Sequence, residues 1–358
     1  MRKLNVVLLV GLTLGSPSFG VSQEATVSHT FQAGTPARAS EVNENFSVLV
    51  DAINAKADQG PPGPPGPQGE PGTDAATILD FSMVPVVIDT PGYYVLDRDW
   101  DLRGGGNPLL QIDADDVTVD FRGFGLLDND GITVWIFGAG VTLRNGRIEG
   151  IGQGVLVEGD DVVIHGMHIE SFESYAILLF GGLNAVVRNS WLRSGAESIT
   201  LIVDGGEAII RGNYISGGPG FEAGALSVAA ANANISDNSI FCNGTVSCVR
   251  LSAAGGNVFA NNTLRTGEPE ETTLLLVQDG NLVINNVLVG VRSEGGGMWV
   301  QGTGNLIEGN KITSGGDLLW GIRFDQDGNL YGNNKVAGDI PFDLQGTVQV
   351  DLGGNVGL

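Results

Sequence analysis

Eight side chains suited to ligand chemistry recur at two fixed places in four successive stretches of the chain. Two residues before a repeating position stand Arg144, His165, Arg188 and Arg211, and one residue after it stand Arg147, His168, Trp191 and Tyr214. The whole sequence has only 18 lysines and arginines, so this concentration is unusual. Guanidinium groups take carboxylates through paired hydrogen bonds, and aromatic rings lie against the apolar faces of sugars, so a basic strip beside rings suits an acidic polysaccharide. The plainer reading is a solvated surface on which these groups pair with neighbours such as Glu149, Glu170 and Asp161.

Other chemistry is less well supported by the spacing. Asp-rich turns occur at Asp113, Asp115 and Asp116, at Asp128 and Asp130, at Glu158, Asp160 and Asp161, and at Asp325 and Asp327. Calcium prefers several such oxygens, but aspartate in these turns more often serves the turn itself. No metal site or cofactor is therefore expected, with calcium the one alternative. Glu149 and Glu170 share a phase on adjacent repeats, the arrangement from which a carboxylate pair for glycoside hydrolysis would be built. There is no phosphate-binding loop, no nucleophile elbow and only three histidines, of which His29 stands alone. No catalytic residue is assigned.

The element that carries the strip is a repeat. Asn213, Asn238, Asn262, Asn286, Asn310 and Asn334 follow one another at intervals of 25, 24, 24, 24 and 24 residues. Three places before each comes Ile210, Ile235, Phe259, Val283, Ile307 or Tyr331, and two places after comes Ile215, Ile240, Leu264, Leu288, Ile312 or Val336. Gly212, Asp237, Asn261, Asn285, Gly309 and Asn333, immediately before the asparagines, are types that tolerate left-handed backbone. This spells short strand, one-residue corner, short strand. A unit so small buries its apolar residues only by stacking on its neighbours, which lines equal positions into ladders. The asparagine amides then bond to those above and below.

The register extends backwards through Ser190, Met167, Gly146 and Arg122, with Leu192, Ile169, Ile148 and Phe124 two places on, giving about ten coils. A third strand is spelled by segments such as "GVLV", "AILL", "ITLI" and "GIRF". Between the inward aliphatics, Val163, Val186, Ile209, Val258, Leu282, Leu306 and Leu330 would form an outward apolar stripe, to be covered by other copies of the chain or by a terminal segment.

With these coils, and with the opening "PGYYVLDRDWDL" and "IDADDVTVDFRGFGLL", the chain from about residue 85 to its end resembles right-handed parallel β-helix proteins of the pectate-lyase-like superfamily. The resemblance implies an all-β solenoid and leaves the activity open, because lyases, hydrolases, epimerases, phage tailspikes and non-enzymatic surface proteins share the scaffold. Lyases of the superfamily abstract a proton beside a uronate carboxylate with an arginine or another base, often with calcium held by aspartates. Arg188, Arg211, His168 and Tyr214 are of the type such a base requires, but no compact set of the family's calcium ligands is matched. The paired aspartates of the polygalacturonase type are missing beside His165 and Gly166.

The rest of the chain falls into three unlike segments. Residues 1–20, "MRKLNVVLLVGLTLGSPSFG", read as a secretory signal with cleavage after Gly20, too short in its apolar run to span a bilayer. Residues 21–59 form a leader in which Val42, Phe46, Leu49 and Ile53 mark a short coiled-coil helix with Ser40 as its N-cap. This leader, "GTPARASEVNENFSVLVDAINA", is similar to those preceding stalks in bacterial surface proteins. Residues 60–74, "GPPGPPGPQGEPGTD", place glycine at every third position, a collagen-like signature that implies three chains. A monomeric proline-rich spacer is the other reading.

Residues 75–358 are the β-helix domain. Cys242 and Cys248 are expected to form a short-loop disulfide after export. The net charge of −23 and pI near 4.2 argue against nucleic acid as a partner. The expectation is an exported, trimeric surface or extracellular protein with no transmembrane segment. Its β-helix would be structural or bind glycan, and the alternative is a polysaccharide lyase or hydrolase acting on an acidic polymer.

Overall fold

The computed structural model describes residues 28–31, 38–57, 76–102, 106–195, 198–218, 224–243, 247–251, 255–266, 275–290, 293–314 and 318–358. The expected secretory signal over 1–20 and the expected collagen-like repeat over 60–74 lie outside these residues. The chain divides into two units, residues 1–70 and 71–358.

In the first unit a helix runs from Ala39 to Ala57. Ser40 is not its cap. The carbonyl of Arg38 accepts hydrogen bonds from the backbone N–H groups of Glu41 and Val42, so Arg38 occupies the capping place and Ser40 lies inside the first turn. His29 packs back on this helix, its backbone N–H donating to Asn45 Oδ1 at 2.9 Å and its ring 2.8 Å from Glu44. Phe46, from the apolar stripe, is 62% exposed.

The second unit is an all-β parallel solenoid of about ten coils. Each complete coil contributes three strands. Two flank a one-residue corner and stack into a 23-stranded sheet, while the third stacks into a 12-stranded sheet. In one coil these are Ala185–Arg188, Trp191–Ser194 and Ile199–Asp204. The corner residues Asn145, Gly166, Asn189, Gly212, Asp237, Asn261, Asn285, Gly309 and Asn333 all have positive φ, the left-handed region that asparagine, aspartate and glycine enter most easily. A second corner, at Asp116, Gly140, Asp161, Asn184, Gly206, Asn232, Gly256, Gly280, Gly304 and Gly328, turns the chain in the same way.

Inside, equal positions stack into apolar columns. One holds Val187, Ile210, Ile235, Phe259, Val283 and Ile307, a second Leu192, Ile215, Ile240, Leu264, Leu288 and Ile312, and a third Ile177, Leu201, Leu226, Val249, Leu275 and Met298, all buried. Parallel sheets covered on one face by such a core gain most of their stability from this burial.

The polar columns are equally continuous. Asn238 Nδ2 donates to Asn262 Oδ1 at 3.0 Å, Asn262 Nδ2 to Asn286 Oδ1 at 3.2 Å, Asn286 Nδ2 to Asn310 Oδ1 at 3.0 Å, and Asn310 Nδ2 to Asn334 Oδ1 at 3.1 Å. The second hydrogen of each amide goes to a backbone carbonyl, such as Phe259 O for Asn286 at 2.8 Å. A parallel ladder, absent from the sequence-based alignment, runs through Asn257, Asn281, Asn305 and Asn329, with Asn257 Nδ2 donating to Asn281 Oδ1 at 2.9 Å and Asn305 Nδ2 to Asn329 Oδ1 at 3.0 Å.

The first coils depart from the spelling for a steric reason. Strand pairing sets Asp120 beside Arg144 but Gly125 beside Arg147, so the earlier coil carries two extra residues at its corner. Arg122, at φ 51°, is therefore at the corner and not in the asparagine phase, and the residue stacked on Ile148 is Leu126, not Phe124. Phe121 turns inward and fills the place of the missing amide. A Cβ on Gly146 would collide with the Cβ of Phe121.

Cys242 and Cys248 are joined in a disulfide, with their Cα atoms 5.6 Å apart. Val163, Val186, Val258, Leu282 and Leu306 point outward and are half-buried, while Ile209 and Leu330 in the same row are exposed. Asn234 interrupts this row.

Candidate functional site

Strand alternation projects the strip outward. In Trp191–Ser194, Leu192 and Ser194 are buried while Trp191 and Arg193 face away from the core. In Ala185–Arg188, Ala185 and Val187 are buried and Arg188 is exposed. Parallel pairing then sets Arg144 beside His165, His165 beside Arg188 and Arg188 beside Arg211. Across the corner it sets Arg147 beside His168, His168 beside Trp191 and Trp191 beside Tyr214. All eight residues thus occupy two rows on either side of one corner, and Glu149, Glu170 and Arg193 form a third row two residues further on.

The acidic partners are only partly those suggested by the sequence, since Glu170 is one of them while Asp99, Asp120 and Asp237 are new. Asp161 accepts from the Asn184 amide and serves its turn. Arg147 pairs with Asp99 at 2.7 Å, Arg144 with Asp120 at 3.0 Å, and Arg211 with Asp237 at 3.0 Å. Glu170 lies 3.8 Å from the His168 ring nitrogen and 3.2 Å from the guanidinium of Arg193. Arg188, at the centre of the basic row, is exposed and has no ion pair among the described residues.

Asp120 anchors the N-terminal end of the row. Burial alone would raise its pKa, but the backbone N–H of Arg122, the Tyr93 hydroxyl, the charge of Arg144 and the Asn145 amide together lower it below the ordinary 3.8. A depressed carboxylate contributes stability that is complete above the unfolded value and is lost as pH falls through the folded one. Asp120→Asn is therefore expected to lower the unfolding midpoint near neutral pH, with the gap to the parent closing as the solution is acidified below the ordinary carboxylate range. A gap independent of pH would show that the charge of Asp120 is not what stabilises this end.

The aromatic row forms a stack along the helix axis. The ring centroids of His168 and Trp191 are 4.0 Å apart at 22°, and those of Trp191 and Tyr214 are 5.9 Å apart at 9°. Trp191 is therefore stacked between its two neighbours and half-buried. Arg147 is packed down at the other end, its stem crossing the Cα of Gly125, where a Cβ would come within 3.1 Å of the guanidinium Nε.

The Asp-rich turns act mainly as turn acceptors. Asp115 Oδ1 accepts from Ala139 N at 2.8 Å, Asp160 Oδ1 from Leu183 N at 2.7 Å and Asp327 Oδ1 from Val348 N at 2.7 Å. Asp325 receives the Trp299 indole N–H and the Arg323 Nε. Among the described residues no group of three or more histidine, cysteine, aspartate or glutamate side chains is placed to hold a metal ion. No described helix is long and apolar enough to cross a membrane.

A family model described as the right-handed beta helix region matches residues 110–264 and again 153–321, together more than half of the chain. Among solved structures, the chain is similar to DFA-IIIase from Arthrobacter chlorophenolicus A6 without its lid in complex with GF2. That likeness has 14% identity over 90% of this chain and 97% of the other, with a TM-score of 0.53. PfbA, a surface adhesin of Streptococcus pneumoniae, aligns at 12% identity over 87% of this chain and 89% of its own, with a TM-score of 0.44. The A-module of the Azotobacter vinelandii mannuronan C-5 epimerase AlgE4 aligns at 13% over 72% and 90%, with a TM-score of 0.46. No curated protein sequence matches the chain. At 14% identity the first likeness speaks to the fold alone, and nothing is drawn from the other two.

Proposed function

The chain belongs to the right-handed β-helix family, and from that premise we propose that it is an exported, trimeric surface or extracellular protein whose two-row strip binds an acidic polysaccharide. The observation that carries this reading is the basic row itself. Four coils place Arg144, His165, Arg188 and Arg211 in register, and Arg188 stands exposed with its guanidinium uncommitted among the described residues. A planar fork of donors held on a rigid sheet meets a uronate carboxylate through two parallel hydrogen bonds.

Export is supported by the basic and apolar opening of the chain, and the Cys242–Cys248 disulfide suits an oxidising compartment. The trimer rests on the glycine triplets over 60–74, on the exposed Phe46 of the preceding helix and on the partly exposed row from Val163 to Leu330, which two further copies would cover. The secreted chain is expected to sediment as a trimer and to become monomeric when residues 40–72 are removed. A monomeric mass before the deletion would reject the stalk.

The second reading is a lyase or hydrolase at the same strip. Glu149 and Glu170 are neighbours in one row, and Glu170 faces both His168 and Arg193. The test separates the two readings. The purified protein is incubated with polygalacturonate, alginate and neutral polysaccharides, with and without calcium, while sedimentation reads binding and absorbance and reducing ends read cleavage. Retention without product supports a binding role. Product formation that is lost on Arg188→Ala makes the protein an enzyme, and neither binding nor product removes the glycan reading.

A further inference from the structure

Within this surface, and resting on the glycan reading above, we infer that Tyr214 forms a subsite for one sugar ring, which lies on the tyrosine's C-terminal face with its polar groups taken by Arg211 and Asp237. The aromatic stack ends at Tyr214. Trp191 is stacked between His168, at 4.0 Å, and Tyr214, at 5.9 Å. The far side of Tyr214 meets the next coil, where the same row holds Ser239. Ser239 is short and exposed, and no ring among the described residues stacks on that side of Tyr214. Successive coils follow at about 4.8 Å, so a ring on every coil closes the stack, whereas Ser239 on the next coil and Thr263 on the one after leave an open notch beside the tyrosine face.

The walls of the notch are polar in a way that suits a saccharide. The Arg211 side chain is 68% exposed and spends Nε on Asp237 Oδ2, leaving both terminal amino groups without a partner among the described residues. Asp237 is fixed by its own corner, at φ 59°, and its second carboxylate oxygen is likewise uncommitted there. An apolar ring face flanked by a donor fork and an acceptor matches the C–H face of a pyranose and its hydroxyl or carboxylate rim. Trp191, by contrast, acts as a positioning residue that holds the Tyr214 ring upright.

The experiment titrates the full chain calorimetrically with tetragalacturonate and, separately, with cellotetraose. Tyr214→Ala is expected to weaken tetragalacturonate binding about tenfold, while Tyr214→Phe, which keeps the ring face, stays within about twofold. Ser239→Trp supplies an independent arm, since it adds an aromatic side chain instead of removing one. By filling the notch it should abolish binding although it leaves Tyr214 in place.

Retained affinity in Tyr214→Ala or in Ser239→Trp, together with loss in Arg188→Glu, overturns the subsite and leaves the glycan-binding strip standing. Cellotetraose bound as well as tetragalacturonate, and lost with Tyr214→Ala, supports the ring subsite while removing the acidic preference. Failure of the parent protein to bind either oligosaccharide or polygalacturonate overturns the strip and the subsite together.

Discussion

Replacing Asn286 with leucine is expected to destabilise the β-helix by about 1–3 kcal/mol, the range for leaving buried polar groups unpaired. Asn286 is fully buried. Its Oδ1 accepts from the backbone N–H of Asn262 at 2.8 Å and from Asn262 Nδ2 at 3.2 Å, while its own Nδ2 serves Phe259 O at 2.8 Å and Asn310 Oδ1 at 3.0 Å. Leucine has the same branching and the same number of side-chain heavy atoms but supplies none of these contacts, so two donors below and two acceptors around it lose a partner in a place water does not reach. Serine at the same position should lose less. The chain already uses one at Ser190, whose hydroxyl accepts from Met167 N at 3.2 Å while its backbone N–H donates to Asn213 Oδ1 at 2.9 Å. The check is the denaturant midpoint together with amide exchange of the neighbouring coils. An unchanged midpoint for the leucine variant would mean that the amide ladder contributes nothing to stability.

The second large effect is on binding. Arg188→Glu with Arg211→Glu should eliminate affinity for polygalacturonate, because it replaces two donor forks by two like charges in the middle of the basic row. The appropriate control is Lys335→Glu. Lys335 lies in the same outward row as Tyr214, reached through Ser239, Thr263, Val287 and Lys311, and its strand pairing places it five coils further on. At about 4.8 Å per coil that is about 24 Å away, well beyond the Debye length of about 8 Å at physiological ionic strength. Loss with the double reversal and retention with Lys335→Glu would place binding on the strip. Equal loss in both would show that net charge alone governs the interaction, and retention in both would move the ligand elsewhere.

Much of this architecture is legible by counting. The 24-residue interval of the asparagines, the aliphatics at fixed offsets and the left-handed residue types at the corner are all local consequences of a coil that must superimpose on the next. The same counting places His165 with Arg188 and His168 with Trp191, since residues in one phase share one row. It also offered Asn257, Asn281, Asn305 and Asn329, which recur at the same interval five residues before Asn262, Asn286, Asn310 and Asn334. The double insertion beside Phe121 was hidden because Phe124 matches the later apolar positions by type while differing from them in register.

What counting does not give is which carboxylate a given arginine meets. Asp99 reaches Arg147 across 48 positions and Asp237 reaches Arg211 across 26, contacts that depend on rotamers and on the path of each coil. The orientation of the rings is hidden for the same reason. Composition announces aromatic residues beside a basic row, but only the structure shows that the large indole is stacked between two neighbours and that the stack ends at the tyrosine.

The asparagine columns have one more property, which is their polarity. Each amide from Asn213 to Asn334 points its carbonyl toward the preceding coil and one N–H toward the following one, and Asn355 Oδ1 accepts the last of these bonds. The side-chain dipoles therefore add head to tail along the axis and polarise one another. A coil inserted in the same sense finds a donor on one side and an acceptor on the other, so the column lengthens by duplication without a fault. A coil entered in the reverse sense would bring two carbonyls or two amino groups face to face, which gives the solenoid a direction of growth written in its side chains.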